Sequence, residues 1–149
     1  MLPSEAVAAI NAYRVAHLQP QLTQDDALMA VAQQRAVDVA AAGLPLTQAS
    51  HAGWSEAVLA VFPNCACAEN LAAEEVTAAN AVAAWAGDYP HKANMLGNYN
   101  LVGIGLALSA DGVPFWCADF VRNGGEKALV KAWKFKGGQH WIDSEGPKP

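Results

Sequence analysis

Apolar residues recur at helical spacing up to about residue 62, and after residue 100 they recur at every second position. Val7, Ile10 and Tyr13 behind Ser4, a capping residue, predict a helix over 5–17, and Pro20 ends the connection that follows. Leu28, Val31, Ala32, Arg35 and Val39 share one face of a second helix, opened by Thr23-Gln24-Asp25-Asp26 and running to Ala42. Asp25 and Asp26 suit its positive end, and Gly43 is its stop. Residues 44–53 read as loop and Trp54–Phe62 as a short helix closed by Pro63-Asn64. Cys65–Ala72 reads as extended, and Glu74–Ala86 as an alanine-rich helix against which another element can pack closely. Gly87-Asp88-Tyr89-Pro90 breaks that helix, and His91–Leu96 forms one more helical turn.

In Leu101–Ser109 the period is two. Val102, Ile104, Leu106 and Leu108 share one face, and Gly103, Gly105 and Ala107 share the other, where a missing side chain lets a helix lie close. Ser109-Ala110-Asp111-Gly112 is a hairpin signal, with Val113–Val121 as the return strand. Helices come first and antiparallel strands late, so the predicted class is α+β, helices packed on a small sheet.

Composition narrows the class. With 53% hydrophobic and 15% charged residues, a chain of 149 residues can bury one sizeable core, which excludes intrinsic disorder. No uninterrupted apolar run of about 18 residues is present, so no transmembrane helix is expected. A net charge of −5 argues against a nucleic-acid partner. The charge is uneven: residues 1–121 hold three Lys/Arg against eleven Asp/Glu, whereas residues 122–149 hold six against three. Gly124-Gly125 marks the boundary, so 1–121 reads as the domain and 122–149 as a basic, then polar, extension. Its Lys127, Lys131, Lys134 and Lys136 interleave with Trp133 and Phe135, either docking on an anionic surface or leaving the lysines in water while Val130 and the aromatics pack back.

Four polar residues stand out in the apolar domain: His51, Glu69, Asp88 and His91. Asp88 and His91 are three apart beside a helix end and can face one way, and Glu69 lies in an apolar run where an unpaired carboxylate is costly. Two imidazoles and two carboxylates suit a divalent cation or a general acid/base pair, but the same residues serve equally as caps and surface groups. His17 and His140 have no partner in the sequence and read as surface groups. The cysteines are Cys65, Cys67 and Cys117. In an extended run Cys65 and Cys67 face the same way, so one of them can meet Cys117 on a neighbouring strand; three buried thiols fit the count as well. Met1–Ser4 leads straight into the helical pattern, with no signal peptide in this chain.

Several blocks together resemble one family. Ala68-Glu69-Asn70-Leu71-Ala72 is similar to the G-E-N-L/I-A motif of the CAP superfamily, which groups cysteine-rich secretory proteins, antigen 5 and pathogenesis-related proteins. Ala81–Trp85 and Pro90–Leu96 resemble the A-x-x-x-W…G-H-R-A-N-I-L of its bacterial branch. Val102–Ala107 and Phe115–Phe120 resemble its last two strands, G-V-G-x-A and Y-W-x-Q-D-F, and Ser50-His51-Ala52-Gly53 stands where the family has its first histidine. The blocks keep their order over residues 5–121. The resemblance implies a three-layer α-β-α sandwich with a cleft lined by His51, Glu69, Asp88 and His91. It also implies a zinc or other divalent ion between His51 and His91, and, because the family is usually exported, a disulfide from Cys117 to Cys65 or Cys67. The location implied is secreted or periplasmic, the leader being absent from this chain, and a monomer is expected. Departures are Ala68 for the usual glycine, Tyr89-Pro90 ahead of the histidine, and the basic tail. The function implied is binding of a small, lipid-like or metal-assisted ligand. A His/acid hydrolase is the alternative, and no activated-serine pattern such as G-x-S-x-G accompanies it.

Overall fold

The computed structural model describes residues 2–124, 131–135 and 142–146. Its helices are α1 (Pro3–Ala16), α2 (Asp26–Ala42), α3 (Trp54–Val61), α4 (Ala78–Ala86) and α5 (Tyr89–Met95). Its strands are β1 (Thr23–Gln24), β2 (Ala66–Ala73), β3 (Leu101–Leu108), β4 (Pro114–Arg122), β5 (Lys131–Phe135) and β6 (Ile142–Gly146). They form one sheet in the order β1-β3-β4-β2-β6-β5, antiparallel throughout except for β1 beside β3. β1 carries no hydrophobic signal because both its residues are exposed. Within the basic, then polar, extension β5 and β6 return backbone to the sheet, β6 meeting β2 at Cys67↔Glu145. The readings of the tail's side chains, from Lys127 to Lys136, and of His140 lie outside the described residues.

Strand alternation builds two cores, one on each face. Val102, Ile104, Ala68, Ala72, Trp116 and Phe120 face α1, α4 and α5. On the other face Leu71, Phe115 and Cys117 pack with α2, while Cys65, Cys67 and Val121 pack with Leu28, Trp54 and Val58. The result is a three-layer α-β-α sandwich, as expected. Glycine decides how close the second layer lies. A Cβ on Gly103 would run into the backbone of Leu28, and one on Gly105 into that of Ala32. α2 therefore rests directly on β3, which fixes the height of Arg35 above the sheet.

Local chemistry sets the helix ends. Asp25 caps α2 by accepting from the Leu28 amide at 2.9 Å, and Thr77 caps α4 by accepting from the Asn80 amide at 3.1 Å. α4 begins at Ala78 rather than Glu74, because Glu74 has a left-handed backbone (φ 75°) that no helix accommodates. Tyr89 and Pro90, the departure beside the second histidine, simply form the first turn of α5, a position proline tolerates. Leu108, expected on the buried face, is exposed at the end of β3.

The expected disulfide is corrected by the register. Cys117 stands opposite Leu71 and Cys67 opposite Val121, four residues apart along the pair, or about 13 Å at the usual rise. A bridge needs Cα atoms within about 7 Å, and Cys65 lies still further from Cys117 than Cys67 does. Cys117 is a buried thiol joined to neither.

Candidate functional site

Successive residues of a strand point to opposite faces, so Glu69 reaches the α2 layer while Asn70 reaches α5. Arg35 descends from α2 and grips Glu69 with two bonds, Nε to Oε2 at 2.8 Å and Nη2 to Oε1 at 2.7 Å. The same guanidinium donates to the carbonyls of Ser50 (2.9 Å) and Ala52 (3.2 Å), the two neighbours of His51. It thus fixes the short helical turn Gln48–His51 from beneath. His51 Nδ1–H donates to Glu69 Oε1 at 3.0 Å. Burial opposes the charge on both Arg35 and Glu69, but their paired bonds outweigh it. Arg35 is held above its ordinary value, and Glu69 below the usual carboxylate range, with His51 contributing.

Directly opposite Glu69 on β4 is Asp119, also fully buried. Two buried carboxylates thus share one guanidinium. Burial, then the charge of Glu69, pushes Asp119 well up, so the second carboxyl keeps its proton. Cys117 lies 3.4 Å from Glu69 and 3.6 Å from Asp119. Burial and these two acids push its thiol up as well, which leaves it protonated and a poor nucleophile.

The second histidine is held locally. His91 Nδ1 meets Asp88 Oδ2 at 2.9 Å, three residues back across the start of α5. The sheet secures α5 from below: Asn70 donates to the His91 carbonyl at 3.0 Å and accepts from Asn94 at 2.9 Å. Asp88 is 28% exposed, whereas Glu69 is shut away.

Both histidines line one cavity of about 380 Å³ along the end of β2, with Leu46, Leu71, Trp85 and Glu74 among its other walls. Of the four residues expected in the cleft, His51 and His91 form its wall. Glu69 and Asp88 stand behind them, each on a histidine Nδ1, so each carboxylate sets the orientation of its ring. This is also the arrangement in which histidines ligate metals. Yet among the described residues three ligating groups converge at one place only, Glu69, Cys117 and Asp119, where Arg35 already occupies both Glu69 oxygens. The two histidines by themselves fall one protein ligand short of the usual catalytic zinc site.

Sequence reasoning missed the roles of Arg35 and Asp119. Arg35 had left a trace, as a cation among the apolar positions of α2. Asp119 lay in a recognised motif, but its partner becomes visible only with the β2–β4 register. Trp85 and Trp116 are core residues, each 1% exposed, and Trp85 adds an edge to the cavity.

Residues 7–120 match the model of the cysteine-rich secretory protein family, CAP. Three solved structures share the fold. An outer surface protein of Borrelia burgdorferi is 17% identical with a TM-score of 0.68, over 83% of this chain and 97% of that one. An extracellular protein of Bacillus anthracis containing an SCP domain is 20% identical with a TM-score of 0.66, over 80% of this chain and 40% of that one. A cysteine-rich secretory protein of Staphylococcus aureus is 14% identical with a TM-score of 0.62, over 81% of this chain and 38% of that one. No curated protein matches the sequence.

Proposed function

The chain belongs to the cysteine-rich secretory protein (CAP) family, and from that premise we propose that it is an exported module whose cleft binds a small, largely apolar molecule. The observation that carries this reading is that His51 and His91, brought from opposite layers of the sandwich, line the same largely apolar cavity. Each imidazole has its orientation set by a carboxylate behind it, so the cleft has two fixed hydrogen-bonding points above Leu71 and Trp85. A volume of about 380 Å³ suits a chain of roughly ten carbons. Export is supported by the extracellular Bacillus relative, and no helix among the described residues is long and apolar enough to cross a membrane.

A divalent cation in this cleft would have His51 and His91 as its protein ligands and would need water to complete its shell. Bound there it would supply a Lewis acid. The apolar-ligand reading does not depend on it. Hydrolysis is the second reading and would rest on water activated by the imidazoles, because Ser50 and Cys117 are poorly disposed as nucleophiles. Ser50 Oγ accepts from the Thr47 amide at 2.9 Å, and Cys117 is buried with its proton retained.

The test is a calorimetric titration with 1-decanol. Saturable one-to-one binding is expected, and Ala84→Trp, which fills the mouth from the exposed face of α4, should abolish it. Absence of binding to the unaltered protein, or binding unchanged in Ala84→Trp, would refute the reading.

A further inference from the structure

The cavity is asymmetric in charge. Its apolar walls include Leu44, Pro45, Leu46 and Trp85, and its charged lining residues are Glu74 and Glu75. No lysine or arginine is among the described residues that line it. Behind His51 the Glu69 charge is matched by Arg35. Behind His91 stands a further carboxylate, Asp88, part-exposed and outside the cavity wall. Lys92, the nearest cation in sequence, is exposed on α5 and forms no part of the wall.

The acidic pair is held in place. The Glu74 amide donates to the Pro114 carbonyl at 2.9 Å, and the Glu75 carbonyl accepts from Trp116 Nε1 at 2.8 Å. Glu74 keeps its left-handed backbone at φ 75°, where glycine would sit without strain. The pair is therefore tied to β4 and set against a largely apolar chamber.

We propose that the cleft selects a small organic cation with an apolar body, an alkylammonium-like ligand, over an anion of the same size and shape. The inference rests on the reading of the cavity as a ligand site and adds the sign of the ligand's charge. The alkyl body fills the space between Leu71, Leu46 and Trp85, and the cationic head lies toward Glu74 and Glu75. An anionic head in the same pose meets two wall carboxylates and no fixed cation of the wall, so complementarity works as discrimination.

Three probes of equal chain length test it by calorimetry at low and moderate salt: decyltrimethylammonium, 1-decanol and decanoate. The cation should bind roughly tenfold or more tightly than decanoate, the combined scale of two part-exposed charge pairs. The gap should shrink with added salt. In Glu74→Gln/Glu75→Gln it should close, and Ala84→Trp should remove binding of all three. Decanol binding with no preference between the charged probes, or a preference for decanoate, would overturn the inference and leave the apolar-ligand reading standing. Cation binding that survives Ala84→Trp would assign it to the acidic surface and overturn the inference as well. If none of the three binds, both the inference and the reading beneath it fall.

Discussion

The two histidine–acid pairs solve one problem by opposite means. His51–Glu69 is long-range and dry: a helix, a loop and a strand meet, and Arg35 must bring a counter-charge to a carboxylate with no access to water. His91–Asp88 is local and wet, formed across one turn at the start of α5 and part-exposed. The first ties orientation of a ligand-facing imidazole to the stability of the whole fold. The second can be altered with little effect beyond its own ring. A cleft made from both has one wall fixed by the core and one open to adjustment.

Removing Arg35 should separate them most. Arg35→Met strands Glu69 in the core, and denaturant unfolding should show a loss of about 3–5 kcal/mol. Arg35→Met with Glu69→Leu should recover much of that loss, because no charge is then left buried. If Arg35→Met instead costs under about 1 kcal/mol, the dry pair is not what the structure indicates.

Gly105→Ala probes the same pair through the backbone. The added Cβ meets the Ala32 backbone, so α2 must rise from β3 and lift Arg35 with it. A cost of about 1–3 kcal/mol is expected, with imidazole resonances shifting for His51 and staying in place for His91.

Asp119→Asn tests the proton held beneath His51. The folded protein keeps that proton above the ordinary 3.8 at which the unfolded chain releases it. Between those two values the folded state binds more protons, so the Asp119 contribution is full at low pH and declines as pH rises. Glu69, held low, contributes in the opposite direction, but its gain is complete once pH passes 4.5. Above about pH 5 the unaltered protein should therefore lose stability relative to Asp119→Asn, by up to about 1.4 kcal/mol per pH unit. A pH-independent difference between the two would show that Asp119 is ionised in the fold.

The smallest effect belongs to the rim. Asp88→Asn should change stability by less than about 1 kcal/mol and shift the tautomer balance of His91 alone, read from its ring nitrogen resonances. A matching change at His51 would mean that the two pairs are not independent.

The same contrast governs what the sequence disclosed. Asp88 and His91 sit three apart beside a helix end, so their contact follows from local geometry. The α2 glycine contact was legible too, since Gly103, Gly105 and Ala107 alternate with large apolar residues. What depends on strand register was not legible. The pairing of Glu69 with Asp119, and the separation of Cys117 from Cys67, follow from which β4 residue faces which β2 residue. Side-chain alternation gives the face but leaves that offset open. Arg35 was visible as a charge on an apolar helix face, but its partner lies 34 residues away on a strand. β1 left no trace, because a two-residue exposed strand has no hydrophobic pattern.

The central claim is that these two unlike pairs serve one cavity. The most direct measurement follows the imidazole ring resonances of His51 and His91 during a titration with 1-decanol. Both rings should shift together, with the same midpoint, and Ala84→Trp should hold both still. Movement of one ring without the other, or two separate midpoints, would contradict the claim.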